Sequence, residues 1–363
     1  MAKALKSVFN VQSIDELSRQ LAQTSPGFNQ SLFVERVFQP EWDDLSLLQR
    51  IAHVSESVHE VLNLPYVKAL PILKRVAPHF CGIFHWVFPD YVARYGLSHY
   101  ECSMQALAEF TRFSTSEYAI RVFLHAKPQP TLEQMIGWCS SDDAHLRRLA
   151  SEGVRPRLPW AKHLPWIADR PEIVLPIIEA LKSDESAYVR KSVANLLNDL
   201  SKQQPDWVLA LCTQWHHEGE SLSKQTEWII RHGLRTLLKK GDSQALSLLG
   251  YKRPHPLMVK SWQCDSRVKR GQRLHFFVEM QSFDSTLGKM RLEYALTFKR
   301  KHLQGYRKVF KLAEGDYRQS CKKFNKQHSF EKITTRSYYP GTHAIELLVN
   351  GVMLAASEFE LID

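Results

Sequence analysis

The stretch Arg147–Trp166, RRLASEGVRPRLPWAKHLPW, carries the residue types best suited to chemistry. It opens as a helix with Arg148 and Glu152 one turn apart. It then breaks into a loop punctuated by Pro156, Pro159 and Pro165, with Arg155, Arg157, Trp160 and Trp166 between them. A carboxylate, several guanidiniums and two indoles within twenty residues suit an anionic ligand that carries flat rings, which means nucleic acid. The bland alternatives stand beside this. Arg148–Glu152 could be a surface ion pair worth a few tenths of a kcal/mol, and Trp160 a hydrophobic plug under a proline loop.

Such residues need a scaffold, and the sequence supplies a repeat. HLRRLASEG (145–153) resembles YVRKSVANLL (188–197) at an offset of 43 residues, which in turn resembles WIIRHGLRTLL (228–238) at an offset of 40. Each is a helix whose apolar face alternates with basic residues, and each follows another helical stretch. Residues 101–113 and 116–126 read as an earlier pair. A helical-pair period of about 40–47 residues is the HEAT or armadillo pattern. One pair cannot bury its own apolar face, so pairs stack into a solenoid with a concave surface. Superposing the units brings Glu152, Asn195 and Arg235 to equivalent positions, and Arg148, Lys191 and Arg231 one turn earlier. Asp199 lies a turn beyond Asn195 on the same stripe. Most charged helix stripes are only solvated faces. The Pro/Trp loop directly after Glu152 argues for a binding face, where repeat proteins place their irregularities.

Upstream, SIDELSRQLAQ predicts a helix with Ser13 as N-cap and Glu16 completing a capping box. Leu47, Leu48, Ile51, Val54, Val58 and Leu62 follow a 3.6-residue period. Residues 65–96 predict short helices, with His79, His85 and Trp86 (and His99 beyond) as packed core groups, since their spacing matches no metal motif. Near YKRPHPLMV (251–259) the helical pattern ends, and the period changes to 2. LMVKSWQ, RLHFFVEM, MRLEYALTF, YRKVFKL, HSFEKIT, HAIELLVNG and VMLAASEFEL read as seven short strands, with Asn350-Gly351 as a two-residue hairpin turn. The fold class expected is therefore multidomain: an all-α HEAT-like solenoid over 1–252, then a small all-β immunoglobulin-like sandwich over 257–363.

Composition is that of a globular chain, with 44% hydrophobic and 24% charged residues. No apolar run of about 18 residues suggests a membrane span, and the N-terminus has no secretion-signal pattern. Six scattered cysteines with no CxxC or Cys/His cluster read as reduced thiols in a cytoplasmic protein, with no ligand set for structural zinc. The formal charge is +10, distributed unevenly. Residues 1–252 hold 28 Lys+Arg and 27 Asp+Glu, whereas 253–363 hold 20 and 11. The C-terminal third is the electrostatic arm, and a polyanion is its natural partner.

RRLASEGVRPRLPW, followed by SVANLLNDLSK and RHGLRTLLKKGD, resembles the AlkC branch of the HEAT-like DNA alkylation-repair glycosylases. A subgroup of that branch carries a C-terminal immunoglobulin-like domain, so the resemblance extends over the whole chain. It implies a bacterial cytoplasmic enzyme of base excision repair. Such an enzyme hydrolyses the N-glycosidic bond of 3-methyladenine and 3-methylcytosine in duplex DNA, without metal or organic cofactor and with little or no base extrusion. It further implies a monomer acting on alkylated double-stranded DNA, away from membranes.

The residues suit that chemistry. A ring-alkylated base is already a cationic leaving group, and the deoxyribose it leaves develops oxocarbenium character. A carboxylate near C1′ is then required, and Glu152 is the candidate. Arg148 would orient it and hold a phosphate, and Trp160 would offer a π-face to the cation. The resemblance places Arg148, Glu152 and Trp160 in the catalytic pocket, with Asp199 as a second acidic candidate and Glu117 as a third. Arg147, Arg155, Arg157, Arg190 and Lys191 are candidate phosphate contacts, as are Arg231, Arg235, Lys239 and Lys240. Lys299, Arg300 and Lys301 form the densest basic run of the sandwich. Two other readings compete: a non-catalytic HEAT scaffold for nucleic acid or protein, and a sandwich that recruits a protein partner. A pure scaffold has no reason to turn carboxylates toward a polyanion.

Overall fold

The computed structural model describes residues 5–217, 223–252, 257–300, 305–333 and 337–363. Two compact units divide the chain: Met1–Gln204 with Ser221–Gly233, and Pro205–Glu220 with Leu234–Asp363.

The first unit is helical. It runs through α1 (Val11–Thr24), α2 (Gln30–Val37), α3 (Leu47–Leu62), α4 (Tyr66–Val76), α5 (Val87–Tyr95) and α6 (Tyr100–Phe110). It continues through α7 (Ile120–Ala126), α8 (Pro128–Trp138), α9 (Ala144–Gly153), α10 (Pro165–Asp169), α11 (Leu175–Leu181) and α12 (Ala187–Leu200). The helices α13 (Pro205–His217), α15 (Arg235–Lys240) and α16 (Ser243–Leu248) belong to the second unit, while α14 (Lys224–Gly233) belongs to the first. The N-cap of α1 is Asn10 rather than Ser13. The Asn10 side chain accepts from the Ser13 amide at 3.1 Å, and Ser13 Oγ accepts from the Asn10 amide at 3.0 Å. Ser13 is therefore the reciprocating member of the capping box, three residues inside the observed N-cap.

The three similar segments found in the sequence are α9, α12 and α14 with its continuation, and α9 packs on α12, which packs on α14. Apolar residues make these contacts. Leu149, Val193, Leu197 and Ile229 are fully buried, and Ser151 Oγ meets Ser192 Oγ at 2.7 Å across the first interface. Two glycines set the spacing. A Cβ at Gly233 would lie 3.1 Å from Leu197 Cβ, and one at Gly153 would lie 2.8 Å from Ile120 Cγ2 and 2.9 Å from Met135 Cε. Helix α9 can approach α7 and α8 this closely because its last residue lacks a side chain.

The second unit holds the β-sandwich. Strands β1 (Leu257–Cys264), β3 (Arg273–Ser282) and β6 (Cys321–Ser329) form one sheet in the order β1-β3-β6. The other has the order β2-β8-β7-β4-β5, with β2 (Arg267–Lys269), β4 (Gly288–Phe298), β5 (Tyr306–Tyr317), β7 (Gly341–Val349) and β8 (Val352–Ile362). All pairings are antiparallel except β2 with β8. Leu274, Phe276, Val278 and Met280 alternate inward along β3 to meet Leu292, Tyr294, Leu296, Ile345 and Leu347. The β7–β8 turn has positive φ at both Asn350 (47°) and Gly351 (76°), as a type I′ hairpin requires.

Two strands differ from the sequence reading. HSFEKIT, the fifth run of the sequence reading, supplies only His328 and Ser329 to a strand; that strand, β6, begins earlier, at Cys321. Its inward positions are Lys322, Phe324, Lys326 and His328, and the Lys322 ammonium lies 4.2 Å from the Tyr317 ring centroid and 5.6 Å from that of Phe324. Lysine stems covering apolar surface hide the expected alternation. Short β2, paired in parallel with β8, was not anticipated at all.

Among the described residues, no helix is long and apolar enough to cross a membrane, and no three His, Cys, Asp or Glu side chains gather as metal ligands. His85 is a core group. It is fully buried among Phe88, Phe110 and Phe113, and neither ring nitrogen has a partner. Burial drives its pKa down to about 4. The folded protein keeps this ring neutral, while the unfolded chain takes up a proton near the ordinary value of 6.5. Stability is therefore lost as pH falls from about 6.5 toward 4. Urea denaturation at pH 7.5 and pH 5 checks this: the group accounts for a loss of about 2 kcal/mol, and His85→Leu loses correspondingly less over the same interval.

Candidate active site

Helix α9 is capped by Asp143, whose side chain accepts from the His145 amide at 2.8 Å. Leu146, Leu149 and Ala150 face the core, which turns Arg148 and Glu152 along one edge. Glu152 is only 6% exposed. Its Oε1 accepts from Arg155 Nη1 at 2.5 Å and lies 3.7 Å from Arg148 Nη2.

From Glu152 a chain of alternating charge runs in both directions. On one side, Arg148 pairs closely with Glu117. Thr115 Oγ1 accepts from Arg148 at 2.9 Å and donates to Glu117 at 2.9 Å. On the other side, Arg155 Nε donates to Asp199 Oδ2 at 2.8 Å, and Lys202 Nζ donates to Asp199 Oδ1 at 2.8 Å. Asp199 is 2% exposed, and Glu117 and Arg155 are also buried. Three buried carboxylates are thus matched by Arg155, which is buried, by the partly buried Arg148 and by the exposed Lys202. Burial works against the charge on Arg155, but Glu152 and Asp199 outweigh it and hold its pKa above the ordinary value. The Tyr188 ring lies 5.3 Å from the Arg148 guanidinium carbon.

The loop after α9 is stapled from beneath. Arg121 of α7 is 2% exposed. Its Nη1 donates to the carbonyls of Gly153 and Arg155, both at 2.8 Å, and its Nε and Nη2 donate to the carbonyl of Lys162 at 2.8 and 2.5 Å. Burial and the nearby Arg155 lower its pKa to about 10, which leaves it charged at neutral pH. Leu158 and Leu164 plug the loop into the core, and the Leu164 amide donates to the Pro156 carbonyl at 3.0 Å. Trp160 is the exception. It is 59% exposed and sits at φ 65°, in the left-handed region that a bulky residue rarely occupies. Its ring centroid is 6.5 Å from Trp86, which in turn lies 4.6 Å from Tyr118.

The structure thus brings together Glu117, Arg148, Glu152 and Asp199, with Trp160 projecting from the adjoining loop. It adds Arg155, which the sequence placed among the phosphate contacts but whose guanidinium is buried between two carboxylates. Two further arginines are committed within the protein. Arg147 holds Asp184 at 2.6 and 3.1 Å and the carbonyls of Ser141 and Asp142. Arg190 holds the carbonyls of Asp184 and Glu185. Arg157 and Lys191 are exposed; Arg231 is half-buried, 3.8 Å from Glu227. In the second unit Lys239, Lys240, Lys299 and Arg300 are exposed and Arg235 is half-buried, with Arg300 over the Tyr306 ring. Lys301 lies outside the described residues. Sequence reasoning missed Thr115 and Arg121. The signal for Arg121 was an arginine in the otherwise apolar helix IRVFLHA.

Stacked helix pairs thus carry buried carboxylates and a loop with an exposed indole, and the second unit carries a basic sandwich. Comparison with known proteins gives the class. Residues 110–237 match the family described as DNA alkylation repair enzyme, and residues 258–363 match the C-terminal Ig-like domain of uncharacterised protein YhaZ. The chain is 40% identical over 359 residues to the uncharacterized protein YhaZ of Bacillus subtilis (strain 168), spanning 98% of this chain and 99% of that one. It is 37% identical to Pseudomonas fluorescens alkylpurine DNA glycosylase AlkC, solved bound to DNA containing an abasic site analog, with a TM-score of 0.93 over 99% of both chains. The chain belongs to the AlkC-like DNA alkylation-repair glycosylase family, in the form that carries a YhaZ-type Ig-like domain.

Removing Arg155 tests the charge chain. Arg155→Met strips Glu152 and Asp199 of their shared partner and should cost about 3–5 kcal/mol in urea denaturation. Arg157→Met, on the exposed side of the same loop, should change stability by less than about 0.5 kcal/mol.

Proposed function

We propose that this chain hydrolyses the N-glycosidic bond of cationic alkylated bases, 3-methyladenine and 3-methylcytosine, in duplex DNA held against the helical repeats. The observation that carries this reading is Glu152: a buried carboxylate kept between two guanidiniums, just before a loop that carries an exposed indole.

As the bond breaks, its electron pair moves onto the base and cancels the charge there. Positive charge appears on C1′ and the ring oxygen of the sugar. Arg148 and Arg155 both approach Oε1 of Glu152, which leaves Oε2 to meet the sugar. The carboxylate is already oriented, so little reorganisation is needed when the charge develops. Water then adds to C1′, with Glu152 positioning it and taking its proton. Asp199 and Glu117 add negative potential from either side. Trp160 places a π-face by the cationic base or sugar. The leaving group needs no protonation, so the lesion can react without full rotation out of the helix, and selectivity comes from the lability of the cationic adduct. Arg157, Lys191 and Arg231 serve the phosphates from the repeats, and Lys299 and Arg300 grip the backbone from the sandwich.

Single-turnover release of 3-methyladenine from methylated duplex DNA, with affinity measured alongside, checks the assignment. Glu152→Gln should bind DNA normally and release base about a hundredfold more slowly, roughly 3 kcal/mol of transition-state stabilisation. A wild type that binds DNA and releases nothing would return the chain to the scaffold reading.

A further inference from the structure

A cavity of about 290 Å³ opens beside the charge chain, walled by Trp86, Tyr118 and Trp160. Thr115 belongs to both, lining the cavity while its hydroxyl bridges Arg148 and Glu117. The two indoles, 6.5 Å apart and tilted by 59°, form an open wedge. The wedge is built rather than incidental, because Arg121 fixes the loop that carries Trp160 at both ends. The volume is about ten times a water molecule's share of liquid and sits at the small end of ligand sites. Mostly apolar and aromatic walls suit one flat heterocycle.

The cavity is charged differently from the surroundings of Glu152, where three carboxylates are matched by three cations. Arg94, Arg121 and Lys162 line it, and Arg94 is paired both with Asp90 at 2.6 Å and with Glu56 at 2.5 Å, which leaves Arg121 and Lys162 unmatched by a lining carboxylate. The surplus is cationic. The proposed reaction changes the charge of the base from positive to neutral at the moment of cleavage. Before cleavage the base belongs beside Glu117, Glu152 and Asp199; afterwards those carboxylates no longer attract it.

We infer that the Trp86–Tyr118–Trp160 cavity is a product site, which takes the freed neutral N-alkylated base and disfavours the cationic base still attached to DNA. This inference rests on the glycosylase reading. The cationic lining gives the released base a place to go that the substrate base does not compete for, and stacking holds it there. Accumulated free base then slows turnover by occupying the wedge against Trp160.

The test uses the full-length protein and free 3-methyladenine as probe. Saturation-transfer NMR without DNA measures binding, and multiple-turnover cleavage of methylated duplex DNA measures inhibition. Val122→Trp and Ala93→Phe fill the cavity from lining positions outside the charge chain. Wild type should bind the free base with a millimolar or tighter Kd and be inhibited by it. Each filled variant should bind it about tenfold more weakly or worse, escape inhibition and keep its single-turnover rate. A wild type that cleaves DNA but binds no free base overturns the product site and leaves the glycosylase reading intact. Folded variants that bind the base as wild type does overturn it as well. A wild type that cleaves no methylated DNA removes the glycosylase reading, and the product role with it, whatever the binding assay shows.

Discussion

Everything at the site depends on keeping three carboxylates buried within reach of one another. Left alone, Glu117, Glu152 and Asp199 would repel one another and lose hydration without compensation. The intervening guanidiniums prevent this: Arg148 stands between Glu117 and Glu152, and Arg155 stands between Glu152 and Asp199. A chain of this kind adds little net stability, since burial of each ion costs about as much as its pairing returns. What it supplies is a carboxylate, Glu152, held in a fixed orientation at a chosen place. Each member also secures its neighbours, because removing one leaves another buried without its counter-charge.

A helical repeat suits this arrangement. The chain draws on the turn before α7, on α9 and its loop, and on the end of α12, each contributing one carboxylate. Packing of α9 on α12 sets their spacing, and Gly153 lets α9 close on α7 and α8. The loop after Glu152 could not hold Trp160 in a left-handed conformation unaided. Arg121, buried beneath, supplies the hydrogen bonds that offset the strain. The arginine that looks least like an active-site residue therefore positions the most exposed ring of the site.

Local signals were legible in the sequence. The Asn350-Gly351 turn, the 3.6-residue period of α3, and the resemblance between α9, α12 and α14 all lie in short windows, and the structure shows the corresponding elements. So was the pairing of Arg148 with Glu152, one helical turn apart. Contacts over long separations were not. Arg155 reads as a loop cation because Asp199, which buries it, lies 44 residues away. Arg147 and Arg190 read as surface charges, although the loop at Asp184 and Glu185 captures both. Strand β6 was misplaced because lysine stems share its inward face with Phe324 and His328, and polarity rather than geometry dominates the pattern. Ser13 was named the cap because serine is a good cap, yet Asn10 competes for the same role and wins the first turn.

The role proposed for Glu152 is to stabilise a cationic sugar. Duplex DNA carrying a pyrrolidine abasic analogue, with nitrogen in place of C1′ and a positive charge at neutral pH, tests this against the uncharged tetrahydrofuran analogue of the same shape. The account predicts that wild type binds the pyrrolidine duplex about a hundredfold more tightly, as a transition-state mimic should, and that Glu152→Gln loses this preference. Equal affinity of the wild type for the two duplexes would contradict it.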